Sequence, residues 1–263
     1  MIIDIHTHFF PDSLAPRALS AVVDATEGKM EICGDGTLNG LIVELAESGI
    51  DQAITLPVAT RSDQVISINN NLPLDEKTIT PFGALNPYEP NWEESLLNLV
   101  SLGIKGVKLH PEFQDFYIDD PQFTPFFSAL AESGLIVLTH AGYDPGPFSC
   151  DHGTPERIAT LLERHPQLTL IAGHLGGLMQ WDEVEEYLVG KRVYFDTAAI
   201  EEFISVEQFE RIVRNHGAEN ILFGSDYPWA SPSKSISFIN KSSLSQRQKE
   251  HILGLNAQML LGL

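Results

Sequence analysis

Seven side chains able to hold a metal ion or move a proton fall at the ends of apolar runs in this chain: His6, His8, Lys108, His110, His140, His174 and Asp226. The first two belong to Ile2-Ile3-Asp4-Ile5-His6-Thr7-His8, whose β-branched residues predict a strand. Residues two apart on a strand project to the same side, so His6 and His8 are expected to present two imidazoles to one point, with Asp4 on that face below them. Pro11 ends the run, because it has no N–H to give a ladder. Two histidines on one strand are by themselves weak evidence of a metal. Five of the nine histidines at strand ends, joined by a carboxylate, form a stronger pattern. Imidazole and carboxylate suit a borderline-soft divalent ion such as Zn²⁺, with one position left for water. Such an ion lowers the pKa of its water and polarises a substrate oxygen.

The elements that must position these groups alternate strand and helix. Strands are expected at 52–58, 79–85, 106–111, 135–140, 168–173, 193–196 and 221–224, after the first one ending at His8. Helices are expected at 37–48, capped by Thr37 and stopped by Gly49, and at 89–102, 120–134, 154–164, 182–188, 206–215 and 243–263. A weaker helical segment, 61–77, is interrupted by Asn69-Asn70-Asn71 and Pro73. The stretch 9–36 is too long for a routine connection; it reads as an inserted loop carrying a short helix near 13–24 and walling the pocket. Eight strands, each followed by a helix, in 263 residues predict one (β/α)₈ TIM barrel domain spanning 1–263, a fold that takes about 250 residues. An open dinucleotide-binding sheet is disfavoured, since no G-x-G-x-x-G follows the first strand.

Composition narrows the partners. With 36 acidic and 16 basic residues, the formal charge of -20 repels nucleic acid and anionic lipid, so a small-molecule substrate is expected; a homo-oligomer stays open. Cys33 and Cys150 are too few for a disulfide framework, and the start of the chain does not read as a signal segment. The cytoplasm is the expected compartment.

The motifs Ile3-Asp4-Ile5-His6-Thr7-His8, Gly106-Val107-Lys108-Leu109-His110-Pro111, Thr139-His140-Ala141-Gly142, Gly173-His174-Leu175-Gly176-Gly177, Gly224-Ser225-Asp226-Tyr227-Pro228 and Asn256-Ala257-Gln258-Met259-Leu260 run the length of the chain. In this order the sequence resembles the amidohydrolase superfamily, most closely its branch related to aminocarboxymuconate semialdehyde decarboxylase. The resemblance implies a metal bound by His6, His8, His140 and Asp226, with His174 moving a proton and Asp226 acting as ligand, base or both. In binuclear members a carboxylated lysine on the fourth strand bridges two ions, and Lys108 with His110 takes the inward phase that would permit it. The reading adopted is a single Zn²⁺, with Lys108 an ammonium that binds a substrate carboxylate or a neighbouring acid.

Two activities follow from that resemblance. The first is hydrolysis of an amide, lactone or ester through a metal-activated water, and the alternative is non-oxidative decarboxylation of a small carboxylic acid. A decarboxylase needs a cation for the departing carboxylate, and Arg61 or Lys108 could supply it. Arg61, Tyr143, Asp144 and Trp229 lie just past strand ends and are candidate substrate contacts. Asp4 and Asp196 read as hydrogen-bonded structural carboxylates, since a buried charge must be paired. His165 and His216 read as helix C-terminal histidines.

Overall fold

Apolar runs of two to five residues build nine short parallel strands in the computed structural model, which describes residues 1–26 and 32–263. These are β1 (Ile3–Thr7), β2 (Gln52–Thr55), β3 (Ile79–Pro81), β4 (Gly83–Ala84), β5 (Gly106–Leu109), β6 (Ile136–Thr139), β7 (Leu170–Ala172), β8 (Tyr194–Asp196) and β9 (Ile221–Leu222). Their order is β1-β2-β3 in one sheet and β4-β5-β6-β7-β8-β9 in the other. The break between the sheets lies within the expected third strand. Pro81 has no N–H, and the next residue, Phe82, donates to Thr55 O at 3.0 Å. On the other side Asn69 stands in for a neighbouring strand, donating to Ala84 O and accepting from Ala84 N, both at 2.9 Å. The asparagines that interrupt the helical segment 61–77 therefore have a place in the sheet, and the α-helix there is only Val65–Asn69. The far seam closes where Ile5 N donates to Phe223 O at 2.9 Å and Thr7 bridges to Tyr227. Counting β3 and β4 as one interrupted stave gives eight, and the expected TIM barrel is the observed fold.

Alternation along the strands sorts the core. On β6, Ile136 and Leu138 join an inner cluster with Ile3, Ile54, Ile171 and Leu222, while Val137 joins the larger cluster between strands and helices. Helix ends follow local chemistry. Thr37, Thr154 and Ser205 each accept from a backbone N–H in the first turn of the helix they cap, and Gly49 closes Leu38–Ser48 at φ +71°.

Two differences from the sequence reading have physical causes. The C-terminal helix is not continuous: Gln246–Glu250 passes through a π-turn at His251–Leu255 into Asn256–Leu261. There Gly254 lies against the backbone of Met1, where a Cβ would collide, and Asn256 donates to Ala218 O and Ile221 O at 2.7 and 2.8 Å. A further helix, Pro232–Lys241, was signalled by Ser231-Pro232 at its start and was not expected. Within the inserted stretch after β1 the helix Ala15–Ala25 forms, and Phe10 N ties the segment's ends by donating to Gly36 O at 2.7 Å; residues 27–31 of that stretch lie outside the described residues. Among the described residues, no helix is long and apolar enough to cross a membrane.

Candidate metal centre

Every residue of β1 is buried, and a register irregularity between Asp4 and Thr7 lets its end turn into the barrel mouth. His6 Nδ1 is held at 2.8 Å by Asp196 Oδ2 from the end of β8, and His8 Nδ1 donates to Leu56 O at 2.8 Å. Both rings thus direct Nε2 inward. Asp226 Oδ1 lies 3.5 Å from His6 Nε2 and 3.2 Å from His8 Nε2. The carbonyl fixes the proton of neutral His8 on Nδ1, so His8 Nε2 and the carboxylate face each other as two acceptors. A cation between them is the natural occupant, and two imidazoles with a carboxylate suit a divalent ion. Asp196 behind His6 is the partner that such a ligand ring requires.

The other expected residues divide. One ligand atom each from His6, His174 and Asp226 come within 4.8 Å of one another, and so do those from His110, His140 and Asp144. His174 Nδ1 donates to Ala198 O at 2.9 Å, and its Nε2 lies 3.0 Å from His140 Nδ1. His140 Nε2 lies 3.9 Å from Asp144 Oδ2, so in this arrangement the ring links the two groups. His174 and Asp226 both adopt the left-handed backbone region, at φ +57° and +74°, a strain that side chains other than glycine tolerate where the surroundings enforce it. Among their enforcing contacts, His174 N donates to Asp196 Oδ1 at 2.8 Å and Asp226 N to His6 O at 2.8 Å.

Lys108, from β5, is 1% exposed, and its Nζ lies 2.9 Å from His6 Nε2. Its hydrogen-bond partner is an imidazole and not the neighbouring acid anticipated as one option. Burial lowers its pKa to about 8, against the opposing pull of Asp226 and Asp196. Burial likewise holds His6, His110 and His140 well below the ordinary histidine range. For Asp226 burial pushes upward, but the neighbouring imidazoles of His6, His8 and His174 outweigh it and bring the carboxyl down to about 2. It is an anion at neutral pH. Asp4, 0% exposed, accepts from His6 N and Ser225 N at 3.1 and 3.0 Å, as a structural carboxylate would; burial raises it to about 7.

These groups open into a cavity of about 1860 Å³. Phe9, Phe10 and the helix Ala15–Ala25 contribute one wall, so the described part of the inserted stretch does border the pocket. Tyr143 and Trp229 line it as well, Trp229 meeting Phe10 edge to face at 6.3 Å between ring centres. Arg61 is at the rim with its guanidinium on Asp63 at 3.0 Å. Sequence reasoning missed Glu112. It is 2% exposed, accepts from His152 N and Gly153 N at 2.9 and 3.1 Å, and is raised by burial to about 7. Its signal was an acid two residues beyond a strand-end histidine.

The family described as Amidohydrolase matches over residues 3–263. No curated protein sequence gives a significant match. Among solved structures, an uncharacterized TIM-barrel protein from Bordetella bronchiseptica superposes with a TM-score of 0.76 at 19% identity, covering 99% of this chain and 98% of the other. The 5-carboxyvanillate decarboxylase LigW from Sphingomonas paucimobilis gives 0.71 at 16% identity, covering 100% and 99%. A dihydroxybenzoic acid decarboxylase from Polaromonas, with bound manganese and the inhibitor 2-nitroresorcinol, gives 0.71 at 17% identity, covering 100% and 97%. At these identities the superpositions speak to the fold. The match over residues 3–263 speaks to descent, and by it the chain belongs to the amidohydrolase family.

Proposed function

We propose that this protein is a divalent-metal-dependent decarboxylase that removes CO₂, without oxidation, from a small carboxylic acid. The observation that carries this reading is Lys108, a buried cation on the floor of a cavity whose walls include Phe9, Phe10, Phe113, Tyr143 and Trp229. A cation in such surroundings favours an anionic substrate group, even in a chain whose formal charge is -20. The two relatives named as decarboxylases support CO₂ loss over hydrolysis of an amide, lactone or ester.

His6, His8, His140 and Asp226 would hold the ion, which supplies Lewis acidity against negative charge building on the substrate. Zn²⁺ fits these ligands, and so does the Mn²⁺ of the Polaromonas relative. Lys108 receives the carboxylate and orients it. The bond from the carboxylate carbon to its neighbour breaks, the electron pair stays on the neighbour, and a proton must be delivered there. His174, protonated on both nitrogens with its Nδ1 proton held by Ala198 O, delivers it from Nε2 and is recharged by solvent once the product leaves.

The test is a screen of aromatic and aliphatic carboxylic acids, lactones and amides with protein loaded with Mn²⁺ or Zn²⁺, following CO₂ release and hydrolysis separately. CO₂ release is expected, and it should be lost in Lys108→Met while the ion bound by His6, His8, His140 and Asp226 stays. Hydrolysis of a lactone or amide with no CO₂ release from any acid would overturn the reading.

A further inference from the structure

The cavity is larger than a small acid needs. Pockets that take a drug-sized ligand measure about 300–1,000 Å³, and this one measures about 1860 Å³. Part of its lining comes from elements that carry none of the strand-end groups, namely the helix Ala15–Ala25 and the segment around Val65–Asn69. That first helix has two apolar stripes. Ala15 and Leu19 are buried against the rest of the protein, Leu19 packing on Gly36. Ala18, Ala21 and Val22, with Leu14 just before the helix, recur at helical spacing and share a face, and all four line the cavity. Leu14 is 52% exposed and Ala21 is exposed as well, at positions where a surface helix ordinarily shows polar groups. Arg17 is the one charged residue among the helix's lining positions. Leu38, Ile68 and Leu72 line the same cavity and pack on the main core, so that wall is firmly anchored. Single exposed apolar residues are ordinary, but a row of them lining a cavity with Arg61 and Asp63 at its rim has the character of a ligand groove.

Continuity decides the occupant. These walls and Lys108 border one cavity, so a molecule whose carboxylate meets Lys108 can lay an apolar portion along them without leaving it. Covering them releases water from apolar surface on both partners. We propose that the walls formed by Ala18, Ala21, Val22, Leu38, Ile68 and Leu72 hold the apolar tail of the substrate, which is then an acid with its carboxylate at one end and an extended apolar chain at the other. The proposal rests on the reading of Lys108 as the partner of the substrate carboxylate.

The test is a binding series. The full chain loaded with Zn²⁺ is titrated calorimetrically with straight-chain carboxylic acids from butanoic to decanoic acid. Each added methylene should tighten binding about two- to fourfold, the effect of partly to fully burying a CH₂ group. Ala18→Trp fills the space beside the helix and Ala21→Glu places a charge there, both at positions that are not buried. Each should flatten the series while the affinity for butanoic acid and the zinc content stay at the wild-type level, and thermal melting shows that the variants fold. Equal affinity along the series in wild type, or an unchanged slope in both folded variants, would overturn the proposal. Lys108→Met separates it from the reading it rests on. That variant should weaken every acid by the same factor and keep the slope; no weakening at all would remove the carboxylate from Lys108 and leave the apolar walls standing. A flat series beside CO₂ release from short acids would remove the walls and leave the decarboxylase standing.

Discussion

Asp196→Asn separates the tuning of the metal centre from the stability of the barrel. Asp196 is 0% exposed, and its two oxygens have different duties. Oδ1 accepts from His174 N and Ala198 N at 2.8 and 3.0 Å, while Oδ2 holds His6 Nδ1 at 2.8 Å. An asparagine can keep its oxygen on the two amides, which leaves its NH₂ facing His6. The ring must then accept at Nδ1 and carry its proton on Nε2, where Lys108 Nζ already donates at 2.9 Å. The lone pair needed by the ion is lost unless the ring reorients. Removing such a partner costs about 10- to 100-fold in metal affinity, or ~1.4 to ~2.8 kcal/mol. Competition against a chelator of known affinity measures it. The metal-free variant should melt near wild type, because the amide contacts survive and a buried charge is replaced by a neutral group of the same shape. Unchanged metal affinity would refute the reasoning, as would a large drop in the melting temperature of the metal-free variant that accounts for the affinity loss.

Two further outcomes are expected. His174→Asn should lose about 10²- to 10⁴-fold in turnover, the usual contribution of a positioned acid or base, while the ion at His6, His8, His140 and Asp226 remains by elemental analysis; loss of that ion would move His174 into its shell. His216 provides a pH prediction away from the centre: its Nε2 donates to Val193 O at 2.8 Å, its Nδ1 accepts from Gly190 N at 3.1 Å, and burial lowers its pKa below the ordinary 6.5. A base depressed in the fold binds fewer protons folded than unfolded, so its contribution is present above pH 6.5 and is lost as pH falls below it. Denaturant melts of wild type and His216→Asn should therefore differ less at pH 5 than at pH 7.5, and an equal difference at both would count against the assignment.

The barrel was legible because its signals are local. Short apolar runs bounded by Gly, Pro and capping residues give strands and helices in alternation, and the chemistry-bearing residues sit where one run ends. Signals that depend on a distant partner were not legible. The break at Phe82 is stabilised by Asn69, which reads in sequence only as a helix interruption. The π-turn at His251–Leu255 answers to Met1 at the other end of the chain. Glu112 follows a proline and looks like an ordinary first-turn acid of the short helix Pro111–Gln114; only the fold brings His152 and Gly153 onto it.

The same distinction governs the site. A sequence names imidazoles, but the chemistry of each depends on which nitrogen keeps its lone pair, and that is decided by whatever acceptor meets the other one. For His6 the decision comes from Asp196, for His8 from Leu56 O and for His174 from Ala198 O, each contributed by a different part of the barrel rim. His140 alone among these rings meets another imidazole at Nδ1, and its own Nε2, 3.9 Å from Asp144, is left without a hydrogen-bond partner. Sequence spacing assigns it to the same inward rim as the rest. Its orientation makes it the link between two donor groups, so a change at His140 should disturb both His174, whose Nε2 it meets, and Asp144, where a change at His8 touches neither.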